Sequence, residues 1–402
     1  MGQTENPGAD PSMLWSLVVE VPSIDAPVVL WAERAAPLPA PPRRGPDEAL
    51  ANCQWVVRLQ AQLGLNEPAD DYFVLTSLLA GSLSDAVAVL DVASGVVFER
   101  TALDEWFLDP QARPNERWLW SVLGLTSGRG ETESPSSQGM LFTTGLRRCA
   151  RPELEVLDLP VAHLEAGVAL LHAVAAWLLE TPLPAPGAPF EIGPELHVAL
   201  QPWKVVAEHL AAESPGSVAS RSAVAADGPS LEGLRAVICD SPPGADGAPS
   251  FSWPREAIMR LESGHAVFFS SAKRAEATAA RARRTWPDFA TAYASLVRSD
   301  DTELHALAQR AFLVQAPIAP EGMDADASSE QAWFRVQGFD AGTILAALCA
   351  ASLTRPDLGA GHAVRLPASE VRDWRVSFDE RDFGPDDPAA LLAEIDRLRG
   401  VA

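Results

Sequence analysis

The stretch "RPELEVLD" places Glu153 and Glu155 two residues apart, the spacing in this chain best suited to paired-carboxylate chemistry. Alternate residues of a strand share a face, so the two side chains would point the same way. Together they could do general acid–base work or hold a cation. Arg147, Arg148 and Arg151 lie just before them in sequence. A solvated strand face laced with ion pairs is therefore the plainer reading, and such pairs contribute little to stability. His163 and His172 are too far apart to form the i,i+4 pair that a helix offers a metal. Each reads as a structural or helix-end histidine. A hydrolase or metal-dependent enzyme would need Glu153, Glu155, His163, His172 and Cys149 to be gathered into one pocket by the fold.

Other reactive signatures are missing from the sequence. Gly-Lys never occurs, so there is no phosphate-cradling GxxxxGK[ST] loop. Gly128-Arg129-Gly130 lacks the third glycine of a dinucleotide loop, and neither GxSxG nor HExxH is present. The four cysteines, Cys53, Cys149, Cys239 and Cys349, form no CxxC pair. The expectation is no catalytic residue, no metal and no cofactor.

Binding is the alternative to catalysis. The formal net charge is −23, which disfavours nucleic acid and anionic membrane and favours a basic protein partner. The one concentrated basic island is Lys273, Arg274, Arg281, Arg283 and Arg284. It lacks the interleaved aromatics of a single-strand nucleic-acid site, so a solvated helix, or one docked on the protein's own acid, is expected. Among twelve tryptophans, Trp118, Trp120, Trp333 and Trp374 fall on strand-like segments. Core packing is their usual use, and an exposed subset would form an interaction surface. The candidate binding surface comprises Trp333, Arg335, Trp374, Arg147, Arg148, Glu153 and Glu155.

The elements that must carry these residues follow from pattern. Val- and Trp-rich runs at 14–21 and 27–33 read as strands, as does "VVFE" after the Ser94-Gly95 turn. Trp55-Val56-Val57 fits strand or helix. Arg117–Thr126 and Gly139–Leu146 read as strands, and Val161–Glu180 as a buried helix. Its longest apolar run, Ala166–Leu179, is short for a bilayer span. Ser271–Arg284 reads as a helix interrupted at Trp286-Pro287. "AFLVQAPI", "AWFRVQGF", "TILAAL" and "HAVRLPASEVRDWRV" read as strands, and a short helix starts at Pro388. In the second of these runs Phe334 and Val336 face one way, and Trp333 and Arg335 the other.

The whole is read as an α+β protein of two domains, each a mostly antiparallel sheet with packed helices. Residues 12–205 form the N-terminal domain, 206–232 a linker, 233–376 the C-terminal module, and 377–402 an acidic tail with a short helix. The start "MGQTENPGAD" lacks a charged-then-apolar leader, so a reduced, cytoplasmic setting is expected.

Two stretches carry a resemblance. "RWLWSVLGL…GMLFTTGLRRCARPELEVLD" is similar to an N-terminal domain known as domain-of-unknown-function family 4026, through Gly145, Leu146, Arg148, Cys149, Glu153, Leu154 and Glu155. "AFLVQAPI…EQAWFRVQGFDAGTILAAL…LGAGHAVRLPASEVRDWRV" resembles the small bacterial module of family 2314, which often ends such proteins. Neither resemblance implies an activity. Phe142-Thr143-Thr144 stands where the first pattern has a His-Thr-His run and Leu123 where it has a further histidine, and Cys349–Ser352 and Gly361-His362 replace polar turns of the second. These replacements remove polar equipment and favour a scaffold or binding role. The reading is a non-enzymatic cytoplasmic protein-interaction protein of immunity or stress type. A hydrolase or metal enzyme near Glu153, Glu155 and His163, and a two-domain binder of an unidentified small ligand, are the alternatives.

Overall fold

A computed structural model describes residues 13–35, 53–109, 112–126, 138–240, 253–262, 272–318 and 330–400, apart from 23, 25, 65, 194–195, 225–230, 232, 341, 353 and 379–380. The chain forms two compact units, Met1–Phe269 and Ser270–Ala402. Both mix helices with largely antiparallel sheets, so the expected α+β class holds.

The first unit opens with an antiparallel sheet of β1 (Met13–Val19), β2 (Val28–Arg34) and β3 (Trp55–Gln60), in that order. Trp55-Val56-Val57 is thus strand. Helix α1 (Pro68–Ser82), the hairpin β4 (Ala88–Asp91) and β5 (Val96–Glu99), and α2 (Arg100–Trp106) follow.

The main sheet of this unit has the order β6-β7-β8-β11-β10-β9. Its strands are β6 (Ser121–Thr126), β7 (Gln138–Thr144), β8 (Glu153–Pro160), β9 (Pro189–Gly193), β10 (Leu196–Pro202) and β11 (Arg235–Asp240). All neighbours are antiparallel except β8 and β11, which pair in parallel from Glu153↔Arg235 to Glu155↔Val237. One face packs on α3 (Leu164–Glu180), where Leu170, Leu171, Val174 and Leu178 are fully buried. Val161–Glu180 is 20 residues long with a mean hydropathy of 1.5, enough by length and composition to cross a membrane. Its apolarity is accounted for here by burial against the sheet.

The other face is closed by α4 (Trp203–Ala207), α5 (Val218–Val224) and Leu231, over Met140, Phe142, Val237 and Cys239. Residues 206–232, expected as a linker, therefore include a covering layer of the first unit: Val206, Ala207 and Leu231 are buried. The domain start expected at 233 is displaced for the same reason. β11 is an interior strand of the first sheet, and α6 (Arg255–Glu262) packs beside α3.

The second unit begins with α7 (Ala272–Arg284), α8 (Trp286–Val297) and α9 (Thr302–Ala311). Pro287 sits in the first turn of α8, where its missing N–H costs nothing. The wholly antiparallel sheet has the order β15-β14-β13-β12-β16-β17. It comprises β12 (Phe312–Ile318), β13 (Glu330–Asp340), β14 (Thr343–Leu348), β15 (Ala363–Pro367), β16 (Asp373–Phe378) and β17 (Arg381–Phe383). Helix α10 (Pro388–Leu398) buries Leu391 and Ile395 in the same core, so the expected tail is part of the unit. The helices cover one face, meeting Phe312, Val314, Phe334, Val336 and Trp374. The other face holds exposed Arg335 and Arg375 and half-buried Leu313 and Trp333.

Candidate functional site

Glu153 and Glu155 do share a strand face, beside Arg235 and opposite Phe142. That face is buried, and the solvated ion pairs expected there are absent. Glu155 is fully buried and accepts two hydrogen bonds from Arg221 and a third, at 3.1 Å, from Arg235. Arg221 also donates to the carbonyls of Gly216 and Leu231. Its guanidinium lies 4.3 Å from the Trp203 ring centre, and that of Arg235 lies 5.5 Å from the Phe142 ring centre. Burial lowers the Arg235 pKa against the opposing pull of Glu155 and Glu153. A carboxylate held by two guanidiniums is a structural anion, not a base awaiting a proton.

Glu153 is engaged by backbone instead. It accepts from the amides of Gly145, Leu146 and Arg147 and from the Thr143 hydroxyl at 2.9–3.3 Å. Successive N–H groups of a tight turn make a cradle for one anion, and here the anion is a side chain of the next strand. Gly145 makes the turn possible: its φ is +116°, and a Cβ there would lie 2.2 Å from the Leu119 carbonyl oxygen.

Arg148 was a candidate surface residue and is instead a buried clamp. It donates to both oxygens of Asp91, at 2.9 and 2.7 Å, and to the carbonyls of Trp118 and Leu119. Tyr72 lies under its guanidinium at 4.7 Å and donates to Asp91 at 3.2 Å. Burial works to lower the Arg148 pKa, but the Asp91 carboxylate outweighs it and the net shift is upward. Burial, reinforced by Asp91, raises the Tyr72 phenol. Arg147 packs its guanidinium against Gly233, where a Cβ would lie 2.6 Å away.

The residues needed for a hydrolase or metal site do not meet. His163 stacks on Trp253 at 5.5 Å and bonds Glu262 through Nδ1. His172 accepts at Nδ1 from the Trp120 indole, 3.0 Å away, which assigns its proton to Nε2. Cys149 is buried, and burial pushes its thiol up to about 11, away from the thiolate a nucleophile needs. Among the described residues, no group of three or more His, Cys, Asp or Glu side chains could hold a metal.

In the second unit the alternation read from sequence holds: Phe334 and Val336 are buried, Arg335 is exposed and Trp333 half-buried. Trp374 was expected on the surface but is 1% exposed and donates from its indole to Thr285 Oγ1 at 3.1 Å. It alternates with Arg375, and its side of β16 faces the helices. Leu313 stands between Arg335 and Arg375, directly opposite both across neighbouring strands. Arg365 lies 3.8 Å from Asp340, and Arg375 3.5 Å from Asp382. The basic island meets the protein's own acid, as Arg283 bonds Glu276 and Arg281 lies 3.1 Å from Asp386.

Residues 130–231 match the family model described as "Protein of unknown function (DUF4026) C-terminal". The DUF4026 match covers about a quarter of the chain. It places the family's C-terminal part, not an N-terminal domain, in the middle of this protein. Within it lie Glu153, Glu155, Arg147, Arg148 and Arg221, so the matched DUF4026 segment carries most of the buried ion-pair scaffold. No curated protein and no solved structure matches the chain.

Sequence reasoning missed Arg221 and Arg235, the partners of Glu155, and Asp91, the partner of Arg148. Their only signal was an arginine in the polar segment 213–229 and another opening a strand, neither distinctive alone.

Proposed function

We propose that this is a non-enzymatic cytoplasmic protein-interaction protein that engages its partner through the open sheet face of the second unit. The observation that carries the reading is the asymmetry of that sheet. Helices bury one face, while the other leaves Trp333 and Leu313 half-buried beside exposed Arg335. Aromatic and arginine side chains together are the usual anchors of protein interfaces. Arg335, Arg365 and Arg375 are matched on this face and its rim by Asp340, Asp373 and Asp382. The face is locally balanced, so the net charge of −23, most of it in residues 1–269, selects a basic partner by long-range steering. The four cysteines form no disulfide among the described residues, as fits a reducing compartment. The similarity of residues 311–376 to family 2314 is part of this proposal and marks the module that would dock.

Isolation of the tagged protein from native lysate at low and high salt tests it, with retained proteins quantified against a Trp333→Ala/Arg335→Glu variant. A stoichiometric basic partner, retained by the wild type at low salt and lost by the variant, is expected. The same proteins retained by both forms would overturn the assignment of this face.

A further inference from the structure

The edge strands of the sheets are not protected alike. Exposed edges invite pairing with another strand, and proteins blunt them with charge, proline or brevity. β3 carries Arg58, and β9 carries Pro189 and Glu191. β15 carries Arg365 and Pro367, and β17 is three residues with Arg381 and Asp382. β6 has no charge but begins on buried Ser121 and Val122. β1, "MLWSLVV", has seven residues, no charge and no proline, and among the described strands it pairs with β2 alone. Leu14, Trp15 and Val18 are 56%, 44% and 61% exposed, large values for apolar side chains on one short strand.

We propose that β1 is a dimerisation edge, pairing antiparallel with β1 of a second copy about a two-fold axis through Ser16. This is independent of the partner-binding face of the second unit. A two-fold contact must be self-complementary, each residue meeting its mirror position in the partner. Ser16 is the central residue of β1, and every pair equidistant from it is apolar: Trp15 with Leu17, Leu14 with Val18, Met13 with Val19. The two most exposed side chains, Leu14 and Val18, are thereby set opposite one another. Leu17 stands opposite Leu30, which packs on the core, so the inner pair, Trp15 and Leu17, extends the buried side. The bulge between Met13 and Trp15 leaves Trp15–Val19 in regular register with β2, so the central pairs, Ser16–Ser16 and Trp15–Leu17, carry the contact and the outer pairs flank the bulge. The contact joins two three-stranded sheets into one continuous sheet. A second copy is favoured over a charged partner because the strand offers no charge for one to recognise. At physiological salt the acid elsewhere is screened beyond roughly 8 Å, so it opposes this contact weakly.

Sedimentation velocity of the full chain over a concentration series tests the proposal, together with two kinds of variant. Val18→Lys, at an exposed position, should weaken dimerisation at least tenfold while the circular dichroism spectrum and melting curve stay unchanged. Ser16→Cys, with Cys53→Ser and Cys349→Ser to remove the more accessible thiols, should give an intermolecular disulfide on mild oxidation. Directly opposed residues bring their Cβ atoms to about 4.5–5.5 Å, near disulfide range. A folded wild type that is monomeric at every concentration would overturn the proposal. So would a dimer that survives Val18→Lys and gives no Ser16→Cys cross-link, since its interface lies elsewhere.

Discussion

The two six-stranded sheets solve the same problem in opposite ways. The first is covered on both faces, by α3 on one side and by the α4–α5 layer on the other. The second is covered on one face only. A doubly covered sheet has no solvent into which to point its polar side chains, so every one must find a partner inside. Glu153, Glu155, Arg221 and Arg235 do so, and the result is a set of acids and bases that looks catalytic in sequence but is committed in space. A singly covered sheet can leave Arg335 and Arg375 in water over a mostly apolar core, with Arg281 and Glu394 buried at its margin. Charge is thus structural in the first sheet and available in the second.

The comparison breaks first at Glu155. Glu155→Ala strands two buried guanidiniums and should destabilise the first unit by about 3–5 kcal/mol, read as a lower denaturant midpoint for that unit. A loss below 1 kcal/mol would mean that water reaches these arginines and that the face is a site after all. Second is the polar bond inside the core of the second unit. Thr285→Val leaves the Trp374 indole N–H without its acceptor and should cost the second unit about 1–3 kcal/mol.

A smaller effect separates the units by pH. Burial raises the Asp373 carboxyl to about 6, opposed by the bond from the Trp374 amide and assisted by nearby Asp386. A carboxyl raised on folding binds its proton more tightly in the native state than in the unfolded one. The second unit should therefore gain stability as pH falls from about 6 toward the ordinary 3.8, and carry the penalty above 6. Asp373→Asn should remove this slope and stabilise the unit at neutral pH by on the order of 1 kcal/mol, allowing for solvent screening of a partly exposed group. Thermal midpoints across that pH range for both proteins provide the check.

Local pattern made most elements legible. The alternation in "AWFRVQGF" placed Phe334 and Val336 inward, the glycine turn at 94–95 placed β4 and β5, and Pro388 marked α10. α9 went unrecognised, because "TELHALAQRA" leads straight into a strand without a glycine or proline stop. The candidate site was less legible, for a physical reason. Whether an arginine–carboxylate pair is surface decoration or buried scaffold depends on what covers it. The cover for Glu155 comes from residues 203–231, whose Ala/Ser/Gly composition reads as linker. Composition reports a segment's own hydrophobicity, and this layer needs only Val206, Leu231 and one stacked arginine to close the face. Asp47, a possible helix N-cap, and the strand-like run "HAVFFSS" lie outside the described residues.

The smallest stability effect sharpens the comparison most. Arg335→Glu touches an exposed side chain and should shift unfolding by no more than about 0.5 kcal/mol, the usual range for a surface change. Trp333→Ala should cost somewhat more, on the order of 1–2 kcal/mol, since the ring is partly buried. Neither change reaches Phe334 or Val336, which hold β13 to the helices from the other side. If these open-face substitutions abolish partner retention while Glu155→Ala spares it whenever the protein stays folded, the division of labour is established: one sheet spends its charges on itself, the other presents them. The reverse pattern, retention lost with Glu155 and kept with Trp333 and Arg335, would return function to the buried arginines of the first unit.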